Sequence, residues 1–257
     1  MILPEGVAAY VTTLTLVLAR IGGLVVASPV YSSRALPGPV KIGFAVALSI
    51  ILFPPGAVTP SHLPAELLPF LGALLLNAIV GLAVGFASSL VFGAIQTGAG
   101  LIGTQIGFGL SQVIDPMFEG ASNTLDTFYT LFATMVFLTL SGHHWLIAAM
   151  GRTFEAIPLT SAGLSAEIAT SRVLALAGEL WVVAFQIALP VTGALLLTDV
   201  ALGVLTRTVP QMNVFVVSMP LKVLVGVVVV LVTLPAFAGY LDSAFRTMTA
   251  QAGLVVK

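Results

Sequence analysis

The sequence predicts an all-α integral membrane protein of about six long, partly broken apolar helices. Three observations predict it. Of 257 residues, 58% are apolar or aromatic by the AVILMFWYC set. Charged residues make up 7%, where a soluble domain carries roughly 25%. Mean hydropathy is +1.13. Nine basic and ten acidic side chains cannot clothe a protein of this size in water. The composition excludes a soluble globular enzyme, a disordered chain, a coiled coil and a nucleic-acid binder with a basic face.

The apolar runs follow in order. A spanning helix needs about 20 apolar residues at about 1.5 Å each. The first run, Val7 to Ala27, closes at Ser28-Pro29 and carries Arg20 inside it. It has no basic n-region and no convincing cleavage site, so Met1 is expected to begin the mature chain. The second, Val40 to Phe53, is bounded by Pro37-Gly38-Pro39 and Pro54-Pro55 and is short for a span. Pro54 to Pro69 reads as a loop. Between Glu66 and Asp115 lie 48 residues without a formal charge. As one straight helix they would reach roughly 70 Å, more than twice the hydrocarbon thickness. That run must turn, bend or leave the bilayer, and Gly98, Gly100, Gly103, Gly107 and Gly109 are the expected break. Three more runs follow: Thr127 to Met150, Val173 to Thr206 with an expected kink at Pro190, and Leu221 to Leu241. No repeat or linker divides the chain, so residues 1–257 are expected to form a single membrane subunit.

Lys and Arg test the orientation. Six simple crossings place Arg34, Lys41 and Arg207 against Arg152, Arg172, Arg246 and Lys257, an indecisive balance. A re-entrant segment before Thr127 leaves Arg207 alone opposite the other six. This count favours re-entry, with the C-terminus in the cytoplasm.

Few residues could carry chemistry. The absence of cysteine removes disulfides, Cys-ligated zinc and thiol catalysis. No P-loop, nucleophile elbow, HExxH or dinucleotide fingerprint is present, so no catalytic residue, metal or cofactor is expected. His143 and His144 are adjacent, about 100° apart on a helix, and cannot share a metal as an i, i+4 pair would. With Gly142 and Trp145 they read as an interfacial anchor. His62 has no evident partner. Arg20, Glu179, Asp199 and Lys222 lie inside apolar runs, where charges are costly and mark function. Either they meet opposite charges or polar groups, or they relay protons. Lys222 follows Pro220 at an expected helix start, where the dipole disfavours a cation, so an acidic partner is expected. Gly81, Gly85, Ser89 and Gly93 form a smooth ridge, with Gly103 and Gly107 repeating the spacing, so that a helix can approach closely. The approaching helix belongs either to this chain or to a neighbouring subunit.

The segment from Gly107 to Gly120, GFGLSQVIDPMFEG, is apolar yet full of helix breakers. Irregular backbone at membrane depth is tolerated where it is buried in protein or lines a cavity. It is read as a re-entrant loop at a pore, against an ordinary interhelical loop. Phe108, Leu110, Val113, Ile114 and Phe118 supply apolar groups suited to a water-excluding constriction. Gly107 and Gly109 let the backbone fold aside, and Asp115-Pro116 would fix a turn.

Gly103-Thr-Gln-Ile-Gly107 with Asp115-Pro116, Gly142-His-His-Trp-Leu-Ile147, and above all the stretch from Pro210 to Lys222, PQMNVFVVSMPLK, resemble the FliR family. These are R subunits of the flagellar type III export apparatus, related to injectisome T subunits. The likeness spans essentially the whole chain. It implies a subunit built with P-type and Q-type subunits into a helical export-gate complex, with the FlhB-like subunit around its entrance. It also implies unfolded exported proteins as cargo, membrane lipid but no nucleic acid as surroundings, and a place in the bacterial inner membrane at the flagellar basal body. By the same resemblance residues 107–126 contribute to a plug. Family members often carry aromatics there, whereas this chain has Leu110 and Val113 between Phe108 and Phe118. The alternatives are an injectisome export-apparatus subunit and a broken-helix secondary transporter.

Overall fold

The computed structural model describes residues 5–33, 36–53, 66–108, 124–160, 166–209, 211 and 213–252. Among these the chain forms helices and no strand: α1 Glu5–Ala27, α2 Gly38–Leu52, α3 Leu67–Ile106, α4 Thr124–Thr139, α5 Gly142–Ala156, α6 Ala166–Thr208 and α7 Val214–Ala252. Within the described residues α1, α3, α6 and α7 are each long and apolar enough to cross a membrane, and the broken pair α4–α5 is a fifth candidate. The chain is an all-α integral membrane protein. The second helix is short, as expected, and another expected helix is interrupted. The 15-residue α2 reaches only about 22 Å, short of the hydrocarbon thickness. The run from Thr127 to Met150 is interrupted at Ser141, the one described non-glycine residue with positive φ, at 58°. A left-handed serine costs roughly 1–2 kcal/mol and ends α4 much as a glycine would.

The third run corrects the sequence reading. Gly98, Gly100 and Gly103 do not break α3, which continues for 40 residues to Ile106, about 60 Å. Only Gly107 ends it. Pro190 lies inside α6 and does not end it. Pro220 and Pro235 lie inside α7, so that helix begins well before Leu221. Lys222 therefore sits about two turns within α7, and the helix-start argument for its partner does not hold.

The chain divides into two units, each with its own core. The first comprises Met1–Leu90, Ser141–Leu176 and Arg246–Lys257. Its core joins Val17, Ile21 and Leu24 of α1 to Leu48 of α2, Val80 and Val84 of α3, and Met150 of α5. Here α1 and α3 approach backbone to backbone. A Cβ on Gly81 would overlap the Arg20 carbonyl, and one on Gly23 would lie 2.5 Å from the Ala78 carbonyl oxygen. At Gly85 a Cβ would come within 2.6 Å of the Ala27 Cβ. The first half of the small-residue ridge thus packs inside this chain. Lipid supplies no hydrophobic drive to pair helices, so close van der Waals contact must hold this crossing.

The second unit comprises Val91–Leu140 and Ala177–Phe245. Its centre is aromatic. Phe92 of α3 meets Phe137 of α4 and Phe245 of α7 at ring separations of 5.8 and 5.6 Å, and Phe137 meets Phe245 at 5.1 Å. Tyr129 of α4 meets Phe237 of α7 edge-on at 5.1 Å. Gly98 seats α3 on α6: a Cβ there would stand 2.8 Å from the Ala184 carbonyl oxygen and 3.2 Å from the Ile187 Cβ. Gly93 makes an ordinary contact with Leu180, at 3.6 Å from the Cβ position.

Helical glycines of this chain differ sharply in what they tolerate. Gly81→Ala should lower the melting midpoint of the detergent-solubilised protein, reflecting about 1–3 kcal/mol of overpacking. Gly178→Ala meets nothing within 4 Å and should raise it slightly, by up to about 1 kcal/mol of helix propensity. Equal midpoints for the two variants would refute the close α1–α3 crossing.

Candidate functional site

Two arrangements stand out: the end of α3 where the candidate loop begins, and the charges held inside the helices. At the first, Gly107 has φ 106°. Its N–H donates to the Thr104 carbonyl at 3.2 Å, and the Phe108 N–H donates to the Gly103 carbonyl at 2.9 Å. This is a Schellman motif with glycine in the left-handed position. It closes carbonyls that the end of a helix would otherwise leave open, and it turns the chain out of the helix axis. Ile106, 1% exposed, anchors the motif. Gly109, Leu110, Val113, Ile114, Asp115, Pro116 and Phe118 lie outside the described residues. Where the chain returns, Asp126 lies in the first turn of α4. Its Oδ1 is buried without a hydrogen-bond partner, 3.6 Å from the Cβ position of Gly100.

Among the described residues Arg20 is the most completely buried charge, 1% exposed. Its Nε donates to Asn77 Oδ1 at 2.8 Å. Nη1 donates to the Thr153 carbonyl at 2.9 Å, and both Nη atoms donate to the Ile157 carbonyl at 3.1 Å. The guanidinium lies 4.5 Å over the Phe154 ring. No acid takes part. The acceptors are the last carbonyls of α5, which carry the partial negative charge of a helix C-terminus, and a planar five-donor fork suits several of them at once. Asn77 is held in turn: its Nδ2 donates to the Ala73 and Leu159 carbonyls at 2.7 and 2.9 Å. Asn77 and Thr153 escaped the sequence reading. The one available signal was an amide in the long uncharged run.

Asp199 of α6 and Lys222 of α7 form an ion pair at 2.6 Å, their side chains 36% and 23% exposed. The Glu179 side chain lies outside the described residues. Of the remaining ridge residues, Ser89 is half-buried and donates to the Phe86 carbonyl of its own helix at 2.7 Å.

The adjacent histidine rings lie tilted at 50°, with centroids 4.2 Å apart. Tyr31, in the turn after α1, donates its hydroxyl to the His143 carbonyl at 3.2 Å. Burial pushes the Tyr31 phenol up to about 12, so it remains a protonated donor at any physiological pH. Lys41 ties the same turn to α2 by donating to the Ser32 carbonyl at 2.8 Å. Among the described residues no cluster of three His, Cys, Asp or Glu could hold a metal.

A model of the bacterial export proteins, family 1, matches residues 11–248. The chain belongs to that family. Similar proteins include the flagellar biosynthetic protein FliR of Bacillus subtilis (strain 168), 33% identical over 84% of each chain. The FliR of Escherichia coli (strain K12) is 30% identical over 89% of this chain and 86% of its own. The surface presentation of antigens protein SpaR of Shigella flexneri is 34% identical, over 60% of this chain and 59% of its own.

The clamp on the end of α5 predicts an order of damage. Arg20→Ala strands Asn77 Oδ1 and the Ile157 carbonyl in an apolar core and should cost about 3 kcal/mol or more. Arg20→Lys keeps the charge but loses the fork and should fall between. Thermal unfolding of the solubilised protein reads both. A lysine variant as unstable as the alanine variant would show that charge contributes nothing here.

Proposed function

We propose that the chain is the R-type subunit of a flagellar type III protein export gate in the bacterial inner membrane, at the flagellar basal body. The observation that carries this reading is a family match across nearly the whole chain, with FliR proteins similar over more than four-fifths of both partners. The resemblance to SpaR covers a smaller share, which favours the flagellar reading over the injectisome one. A secondary transporter would be expected to work as a single chain or homodimer. The wide apolar faces of α6 and α7, with residues such as Leu197 and Val232 more than 70% exposed, suit a subunit covered by neighbours. Those neighbours are P-type and Q-type subunits and the FlhB-like subunit.

Within that complex residues 107–126 act as a plug for unfolded cargo. Support comes from composition and from the hinge at their start. Phe108, Leu110, Val113, Ile114 and Phe118 offer no fixed charge, and a narrow apolar constriction excludes water and ions. The Schellman motif at Gly107 directs the chain out of α3 without leaving its carbonyls open. The bridged pair Asp199–Lys222 and the clamped Arg20 hold helices in place, and neither needs to move protons in this scheme.

Two measurements test the reading. Expressed in a motile bacterium lacking its own R-type subunit, together with the matching P-type and Q-type subunits, the chain should restore swimming. Deletion of residues 110–118 should leave the complex recoverable but leaky, seen as slowed growth or uptake of normally excluded small molecules. An assembled, tightly sealed complex after that deletion would remove the plug assignment.

A further inference from the structure

Both long helices of the second unit carry a proline within an unbroken helix where their anchorage changes. Pro190 in α6 and Pro235 in α7 have no N–H, so the Gln186 and Leu231 carbonyls lose their intrahelical donors. Each proline has a threonine two residues away that bonds back into its own helix. Thr192 donates to the Ala188 carbonyl and Thr233 to the Val229 carbonyl, both at 2.9 Å, a contact that bends helices. Pro190 shares a cavity of about 300 Å³ with Gln186, Thr233, Phe237 and Tyr129. Void beside two weakened helices gives them room to bend.

On one side of the prolines both helices are held fast. Ala184, Ile187 and Ala188 of α6 are buried, as are Phe237, Leu241 and Phe245 of α7. Gly98 clasps the Ala184 carbonyl, and the aromatic cluster grips Phe237 and Phe245. On the other side burial thins out along a two-helix arm, with Leu197, Val200, Val204, Leu224, Val228 and Val232 all at least half exposed. The Asp199–Lys222 pair ties the two strands of the arm together. Val191, Leu195, Leu202 and Val230 stay buried there, and the closest approach among the arm's described glycines is Gly226, where a Cβ would stand 2.5 Å from Cδ1 and 3.8 Å from Cβ of Ile106. Ile106 is the last residue of α3 before the Schellman turn.

We propose that the α6–α7 arm is a lever, hinged at Pro190 and Pro235, that bears through Gly226 on the C-terminal end of α3. The aromatic base stays fixed while the arm swings. Neighbours that cover the arm's apolar faces would set its angle, and the angle decides whether Ile106 stays seated. The functional part of this inference rests on the export-gate reading; the hinge itself does not.

The chain has no native cysteine, so a single engineered pair can lock the lever. Ile106→Cys with Gly226→Cys places the two Cβ atoms at the 3.8 Å noted above, close to the mean disulfide value of about 3.8 Å. In the assembled complex, oxidation should abolish export and reductant should restore it, with complex recovery unchanged. Complete cross-linking with undiminished export would overturn the lever's role at α3. The hinge is read separately, by spin labels on the exposed positions Val204 of the arm and Leu131 of the base in the full chain. Pro190→Ala with Pro235→Ala, which restores both backbone bonds, should narrow the distance distribution. An unchanged distribution would overturn the hinge. If the proline variant narrows it while the parent chain fails to restore swimming, the gate reading fails and the hinge stands.

Discussion

At membrane depth no solvent answers an open hydrogen bond, and the irregular features of this chain answer to that constraint. The Schellman motif at Gly107 closes the end of α3 before the backbone leaves it. Threonines inside helices return their hydroxyls to carbonyls one turn back, as Thr13, Thr97 and Thr134 do. Arg20 is the costliest case, because its donors must all find acceptors away from water. It finds them at the one place where a helix has acceptors to spare, the C-terminus of α5. One buried side chain thereby satisfies itself, caps a helix and joins α1, α3 and α5.

Where the sequence reading succeeded, it relied on long-range composition. A chain with 7% charged residues has few solutions other than packed apolar helices, and the runs around Val17, Val80, Val191 and Val230 all emerge as helices. It failed where a glycine or proline has two opposite uses. Gly98 and Gly100 read as breakers, since a mid-helix glycine costs roughly 1 kcal/mol. In the fold Gly98 lets α6 lie against α3, and that close packing offsets the penalty. Nothing local distinguishes Gly98 from Gly107; the difference is whether a partner backbone arrives. Ser141 shows the converse error, since serine carries no marker for the left-handed region it occupies.

The candidate site was legible to a similar depth. Charges inside apolar runs pointed to Arg20, Asp199 and Lys222, and two of these pair with each other. Arg20 takes the polar alternative to an opposite charge, because carbonyls at a helix end are anionic enough. Asn77 and Thr153 could not be ranked from sequence, since their importance comes from a guanidinium 57 and 133 residues away. The ridge residues carried a real packing signal, but only contact geometry assigns Gly81 and Gly85 to α1 of the same chain.

The length of α3 has a consequence for biosynthesis. At about 60 Å and with apolar side chains along its whole course, it exceeds by about twofold what a bilayer can dissolve. The surplus must be covered by protein, in part by helices of this chain itself. A newly made chain without its neighbours therefore displays a greasy rod that chaperones bind and membrane proteases recognise. Abundance of this subunit in the cell is then governed less by its own synthesis rate than by the supply of the subunits that enclose it.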